Sequence, residues 1–532
     1  MKSNFHWLLF EDEHLFVANK PAGLNTHSPS PYAGEGLYEW LRHREPRWAD
    51  LAILHRLDKE TSGVIVFGKT AVANRSLTEQ FTQRAVRKKY LLLTDRAVSR
   101  ASLVVKSALV RAGEKYLSRP PHAGGEMAET RFRVLESSAG RTLVEAEPAT
   151  GRTHQIRVHA AAHGFPILGD TLYGGTAGPR VCLHAAQLTF KHPVTDVAMS
   201  FEAPVDFSAD PRFALRSSLI DGESTNAFRL IHGAADGWPG WHVDRLGDFL
   251  LSEGERTPGE PELKLLSIWL KKFSLAGVYH KTWNRRVREA RVDSASPQLL
   301  LGNAAPDAFR ISENGVNFEL SFREGYSTGL FLDQRDNRRR FLVNHVAAEF
   351  PLFLDATQSR QVLNTFAYTC GFSVCAAKAG ARVTSLDLSR KYLEWGKRNF
   401  AANNLDPNAH DFIFGDVFDW LRRFARQRRQ FDAVVLDPPT FSTSKAHGAF
   451  RVEKDYAELA ELALAVLRPG GVLFASANSA KLVPQKFIDD LSTAVTQAGR
   501  RIVQSHYVPQ PPDFPVHRDE PAYLKTIWLR IG

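Results

Sequence analysis

Short runs of β-branched and apolar residues, broken by Gly and Pro, dominate the first part of the chain. Gly63-Val64-Ile65-Val66-Phe67-Gly68 and Tyr90-Leu91-Leu92-Leu93-Thr94 read as strands of a mainly antiparallel sheet. That pattern ends near Phe201, and the Pro-, Asp- and Ser-rich stretch that follows lacks clear periodicity, predicting a linker at 206–224. Further on, Phe228-Arg229-Leu230-Ile231 and Phe249-Leu250-Leu251 read as strands and Glu262 to Phe273 as an amphipathic helix, a small α+β module over 225–310. From Ile311 apolar strands alternate with helical stretches up to a terminal strand, Ala522 to Leu529. Such alternation implies a largely parallel, Rossmann-like α/β sheet covered on both faces over 311–532. The expected fold is therefore multidomain, with an α+β, mainly antiparallel unit over 1–205 in front. No internal repeat or low-complexity tract is present.

A length of 532 residues agrees with more than one core, since a domain averages roughly 150 residues. Hydrophobic residues at 43% and charged residues at 24% exclude fibrous and wholly disordered classes. Charge adds a partner class: 68 basic against 58 acidic side chains give +10, and a pI near 9.4 favours a polyanion, nucleic acid first. Arginine runs such as Arg338-Arg339-Arg340 and Arg422-Arg423 are individually read as solvated helix faces. Three cysteines make no disulfide framework and suit a reducing, cytoplasmic setting. The apolar cluster Trp7 to Phe10 runs straight into Glu11-Asp12-Glu13, unlike a secretory signal, and no stretch approaches the roughly 20 apolar residues of a membrane span.

His55-Arg56-Leu57-Asp58-Lys59-Glu60-Thr61-Ser62-Gly63 sets a carboxylate among cations just before a strand. An ionised Asp58 there suits a nucleophile or the electrostatic stabilisation of a sugar cation. Together with Asn19-Lys20-Pro21-Ala22-Gly23-Leu24, Arg87-Lys88-Lys89-Tyr90, the string Gly151 to His159, Ile167-Leu168-Gly169-Asp170 and Leu183-His184-Ala185, this stretch resembles the RluA family of pseudouridine synthases. The resemblance implies that Asp58 is the catalytic aspartate acting at the ribose, that Tyr90 stacks on the target base, that Arg157 pairs with Asp58 and that Arg56 holds the flipped uridine. It implies no cofactor and no metal for this domain. A uridine that must leave its stack, detach, rotate and reattach needs an enclosed pocket with an aromatic face. Only a short stretch precedes the first motif, so RNA docking is expected from elsewhere, the basic C-terminal half being the obvious supplier. His154, His159 and His163 could be read as a metal set, but without a nearby carboxylate or cysteine they read better as part of a basic helix facing RNA phosphates. Cys182 and His184 read as packing residues.

In the C-terminal part Val362-Leu363-Asn364-Thr365-Phe366 runs into Ala367-Tyr368-Thr369-Cys370-Gly371, then a helical stretch and a second strand ending at Asp387. A carboxylate at that strand tip is placed to accept ribose hydroxyls, and Asp416 in Gly415-Asp416-Val417-Phe418 could reach an adenine edge. The more specific string is Val434-Val435-Leu436-Asp437-Pro438-Pro439-Thr440-Phe441. It resembles the class I S-adenosylmethionine-dependent methyltransferases, where an acidic residue before Pro-Pro sits at the meeting point of methyl donor and acceptor. With Tyr326 to Arg338 and the segment Gly237 to Arg245, the resemblance narrows to the RlmI and RlmK group of 23S rRNA methyltransferases, over roughly 225 to 532. It implies S-adenosylmethionine as cofactor, held by Phe331, Asp333, Arg335, Asn364, Phe366, Tyr368, Gly371, Asp387, Leu388, Asp416, Val417, Asp437 and Pro438, with Asp437 also catalytic. Forming 5-methylcytosine needs a thiolate after Pro-Pro or at the next strand end, yet Thr440 and the run Phe474 to Ser479 stand there. The Pro-Pro-Thr-Phe-Ser version is closer to the guanine N7 branch.

The leading expectation is a bifunctional RNA-modifying enzyme acting on rRNA or an assembling ribosomal particle. Two readings compete with it: a protein or small-molecule methyltransferase tethered to RNA by its N-terminal half, and a chain in which one half has decayed to a binding module. Intact Asp58, Tyr90, Arg157, Asp387, Asp416 and Asp437 speak against the second.

Overall fold

The computed structural model describes residues 7–283, 296–325, 327–355, 359–444 and 448–532, without the side chains of 441–444, 448, 449, 451 and 453. The chain divides into two compact units. The first comprises Met1–Pro29, Glu35–Arg42 and Asp50–Leu219; the second comprises Ser30–Gly34, His43–Ala49 and Ile220–Gly532.

The first unit is built on an eleven-stranded sheet among the described residues. Its backbone order is Leu8–Glu11, Leu15–Lys20, Ser62–Gly68, Leu183–Lys191, Arg87–Thr94, Arg141–Pro148, Glu126–Ser138, Ser102–Ala112, Lys115–Arg119. Pairing is antiparallel except where His184 and Ala185 lie beside Ser62 and Gly63. Ser62–Gly68 is buried at every position, which its unbroken apolar run requires of a central strand. The helix Gln155–Ala162 packs Ile156 and Ala160 into the cluster of Leu92, Phe132 and Val144.

The stretch expected to be a linker holds the helix Pro211–Leu219. Asp210 accepts the Arg212 amide at 2.9 Å, Pro211 opens the helix, and Leu215 and Leu219 are buried. Nine residues are too few to display a convincing period, so the start signal was the readable part.

In the second unit five strands, Ala227–His232, Trp241–Leu246, Phe249–Gly254, Gly277–Thr282 and Gln298–Gly302, form a mixed sheet in sequence order. The helix Glu260–Lys272 crosses between its one parallel pair. Phe309–Glu313 and Val316–Leu320 then make an antiparallel hairpin, so the parallel pattern expected from Ile311 starts later, at Gln361. The larger sheet has the order Asp411–Phe414, Arg382–Asp387, Gln361–Thr365, Phe431–Leu436, Leu467–Asn478, Leu524–Ile531, Ile502–Val508. Its first five strands are parallel, and Leu524–Ile531 pairs antiparallel with both of its neighbours, Leu467–Asn478 and Ile502–Val508. One apolar cluster runs from Leu246 and Phe249 through Phe318 and Phe341 to Trp528, so the segments 225–310 and 311–532 share a core. Strand order reverses between Gln361–Thr365 and Phe431–Leu436; in open α/β sheets the crevice beyond the carboxyl ends at such a reversal receives ligands. Among the described residues no helix is long and apolar enough to cross a membrane.

Candidate active sites

Asp58 lies in the loop between Ala52–Ile53 and Ser62–Gly68, and its neighbours fix that loop from below. Gly23 donates its amide to the Lys59 carbonyl at 2.9 Å, and the Thr26 hydroxyl bonds both the carbonyl and the amide of Leu57, at 2.8 and 3.1 Å. Lys20, fully buried, donates Nζ to the carbonyls of Pro21, Leu24 and Lys59. Burial pushes its ammonium down to about 7, with Glu60 and Asp58 pulling the other way.

Above the loop opens a cleft of about 830 Å³, lined by Arg56, Asp58, Lys88, Tyr90, His154 and Arg157 among others. Asp58 Oδ2 stands 3.7 Å from Arg157 Nη1 and 3.9 Å from His154 Nε2. Arg157 is held chiefly elsewhere: Nε and Nη2 donate to the two oxygens of Asp170 at 2.7 and 2.8 Å, a fork-to-fork pair buried on both sides. The expected Arg157–Asp58 pairing is thus a looser third contact, and Asp170, which ends the Ile167-Leu168-Gly169-Asp170 string, is the principal partner. His154 enters the cleft because its backbone is left-handed (φ 55°), and its Nδ1 meets the Tyr173 hydroxyl at 2.8 Å. Burial holds its imidazole below the ordinary range, opposed by Asp58. The Tyr90 phenol is raised by burial and by Asp58. Arg56 is exposed at the rim.

The helix Gln155–Ala162 does not present its histidine to phosphates. His159 is fully buried between Ser107 Oγ and Thr130 Oγ1, at 3.0 and 2.9 Å, and desolvation pushes it down to about 4. His184 is likewise buried, bonded to Ser62 and the Ala203 carbonyl.

In the second unit the turn after Gln361–Thr365 has Phe366, Tyr368 and Cys370 in left-handed backbone, φ 51°, 47° and 65°. Each costs about 1 kcal/mol or more for a residue with a side chain, which persists where the surroundings over-determine it. Here Asn399 Nδ2 holds the Thr369 carbonyl at 2.9 Å, and Asp387 Oδ2 accepts the Tyr368 amide at 2.8 Å. The other Asp387 oxygen accepts the Ser389 amide at 2.8 Å, leaving further lone pairs of both oxygens for a ligand; burial raises its carboxyl. Asn364 is buried and bonded to Ser373 Oγ at 2.9 Å, so it supports the strand end. Gly371 opens the next helix where a Cβ would press on Leu330 at 3.1 Å. Leu388 and Phe331 remain 43% and 47% exposed, Phe331 with its ring 5.5 Å from Tyr368. Asp416 caps the helix Val417–Arg426 through the Phe418 amide at 2.9 Å, and the Val417 side chain is in the core.

Asp437 directly follows the strand Phe431–Leu436, beside the buried Pro438. Gln334 Nε2 donates to its Oδ1 at 3.1 Å and to Ser476 Oγ at 2.9 Å. Asn337 fixes Gln334 at 2.8 Å and in turn accepts from Trp528 Nε1 at 3.1 Å. Desolvation, with Asp333 adding to it, pushes the Asp437 carboxyl up to about 6 against a hydrogen bond from Ser476. Asp333 itself accepts the Tyr523 hydroxyl at 2.9 Å. Arg335 needs correction as a ligand contact. It is 2% exposed and both its Nη atoms donate to Asp513, at 2.8 and 2.7 Å, so it braces the fold. Gln334, in the same string, is the neighbour that reaches Asp437, and Asn337 supports it by bonding Gln334. Tyr326 and the side chains of Phe441 and Ser442, part of the strings read from sequence, lie outside the described residues.

The two halves match two family models, RNA pseudouridylate synthase over residues 14–162 and S-adenosylmethionine-dependent methyltransferase over residues 228–530. A ribosomal RNA large subunit methyltransferase of Deinococcus radiodurans is 33% identical over 337 residues, 62% of this chain and 78% of that protein. Ribosomal RNA large subunit methyltransferase I of Pseudoalteromonas atlantica is 34% identical, covering 59% of this chain and 77% of its own length. A methyltransferase structure complexed with SAH superposes with a TM-score of 0.51 at 25% identity, over 64% of this chain and 87% of its own. Carrying an RNA pseudouridylate synthase domain ahead of this match, the chain belongs to the S-adenosylmethionine-dependent methyltransferase family.

Proposed function

We propose that the chain isomerises uridine to pseudouridine at Asp58 and methylates a guanine N7 of 23S rRNA at Asp437. The observation that carries this reading is that each matched segment brings its own carboxyl to its own crevice, Asp58 beside Arg157 and Asp437 at the strand-order reversal.

At the first site Asp58 acts on C1′ of an extruded uridine while the N1–C1′ bond breaks. The freed uracil is retained against Tyr90, turns, and bonds C1′ through C5, whose proton is then lost. Arg157, locked by Asp170, holds a cation at Asp58, and Arg56 guards the rim. At the second site Asp387 would take the ribose hydroxyls of S-adenosylmethionine, with Leu388 and Phe331 offering apolar surface and the Phe366–Gly371 turn shaping the crevice. The paired amides on Asp387 and the exposed apolar side chains fit such a ligand. When bound, the cofactor supplies an electrophilic methyl group. Asp437, positioned by Gln334 and Ser476, would align the acceptor, whose ring-nitrogen lone pair at N7 needs no covalent intermediate with the protein. The domain bounds 1–205, 206–224, 225–310 and 311–532 remain part of this reading, as does a cytoplasmic setting.

Unmodified 23S rRNA transcript incubated with the full chain and S-adenosylmethionine, then digested to nucleosides, tests it. The reading expects pseudouridine and 7-methylguanosine. A methylated pyrimidine would replace the acceptor; methylation of protein with no RNA product would favour the RNA-tether alternative.

A further inference from the structure

The inner face of the five-stranded sheet changes character along its length. One end, with Leu246, Phe249, Leu251 and Tyr279, enters the shared apolar core. The other carries Arg229, Asp244, Glu253 and Lys281, brought side by side by register: Arg229 opposite Asp244 and Glu253 opposite Lys281. Charges buried or half-buried on a sheet face are costly unless paired and hydrogen-bonded, as Arg229 and Asp244 are here. They wall a pocket of about 430 Å³, inside the roughly 300–1,000 Å³ range of small-molecule sites.

The opposite wall belongs to the methyl-transfer apparatus. Asp333 precedes Gln334, which bonds Asp437, and Asn478 lies two residues beyond Ser476, which bonds it too. Phe331, Trp283 and Phe514 supply aromatic surface. Three carboxyls line the space, and two are engaged: Asp244 by the Arg229 guanidinium at 2.5 and 3.1 Å, Asp333 by the Tyr523 hydroxyl. Glu253 accepts no hydrogen bond among the described residues, while Arg229 and Lys281 act on it only through their charge.

We infer that this pocket receives the acceptor base, and that Glu253 reads the N1–H and N2–H edge of a guanine stacked against the aromatic wall. Two adjacent N–H donors match the two oxygens of one carboxyl group, as neutral acceptor edges do not. A guanine held by that edge turns N7 away from Glu253, toward the wall that carries Asp333 and its neighbours. The inference rests on the proposed guanine N7 reading and deepens it by naming what selects the base.

The test uses the full chain with unmodified 23S rRNA transcript, comparing wild type, Glu253→Gln and Trp283→Leu. Product identity, kcat/KM for methylation, S-adenosylmethionine affinity and pseudouridine formation are all measured. Glu253→Gln should lower kcat/KM about 10- to 100-fold, since one bidentate base contact discriminates by that order. Trp283→Leu should raise KM for RNA, and neither variant should change cofactor affinity or pseudouridine yield. Unaltered kcat/KM in Glu253→Gln, with 7-methylguanosine still the product, overturns the pocket assignment and leaves the proposed function standing. A wild-type product methylated on a pyrimidine overturns both, and is told apart by the nucleoside formed.

Discussion

The two sites use an aspartate in opposite electrostatic settings. Asp58 faces a guanidinium at 3.7 Å in an open cleft, and that guanidinium is pinned by a second carboxylate, Asp170. Asp437 is desolvated, sits near another carboxyl, Asp333, and among the described residues takes hydrogen bonds from the neutral donors Gln334 and Ser476, with the Arg338 charge opposing its desolvation from further off. The first arrangement sets a carboxyl beside a fixed cation, where it faces a forming sugar cation in the proposed reaction. The second suits a carboxyl that aligns a neutral base while a positively charged methyl donor is consumed. In the proposed function one residue type would serve two reactions because the partner, not the aspartate, differs.

The comparison is broken most strongly by removing what holds Arg157. Asp170→Ala leaves a buried guanidinium without its fork partner, which costs about 3–5 kcal/mol, read as a lower denaturant midpoint of the first unit. Pseudouridine formation should fall with it while methylation persists. Next, Asp437→Ala should slow methyl transfer about 10²- to 10³-fold without changing pseudouridine yield, checked with radiolabelled S-adenosylmethionine. Asp387→Ala removes charge-assisted acceptors and should weaken S-adenosylmethionine binding about 10- to 100-fold by calorimetric titration; unchanged affinity would take Asp387 out of the cofactor site.

The smallest effect separates the two aspartates by pH. Because the folded Asp437 carboxyl sits near 6, above its ordinary 3.8, the fold holds that proton more firmly than the unfolded chain does. Its contribution is complete below about pH 4 and is lost as pH rises through 6. Asp437→Asn cannot ionise, so at pH 7 it should be more stable than wild type by about 1–3 kcal/mol, the difference vanishing near pH 4. Equal stability at both pH values would contradict the desolvated setting.

What sequence made legible follows from distance along the chain. Asp58, Tyr90, Asp387 and Asp437 stand in contiguous strings or at strand tips, so short-range pattern reaches them. Asp170 with Arg157, Gln334 with Asp437 and Arg335 with Asp513 are pairs made by folding, separated by 13, 103 and 178 positions. Motif membership alone grouped Arg335 with the ligand contacts, although it is its neighbour Gln334 that bonds Asp437, with Asn337 bonding Gln334. The left-handed turn at Phe366, Tyr368 and Cys370 carries no glycine at those positions, so the usual signal for that backbone was absent. In the expected linker the Asp210-Pro211 start signal was present, but too little helix followed to show a period.

Asp58→Ala, assayed in one reaction for both products, tests most directly that two independent carboxyls run two reactions. Pseudouridine should drop at least about 10³-fold while methylguanosine forms at the wild-type rate. Pseudouridine persisting in the variant, or both marks vanishing together from a folded protein, would contradict the account.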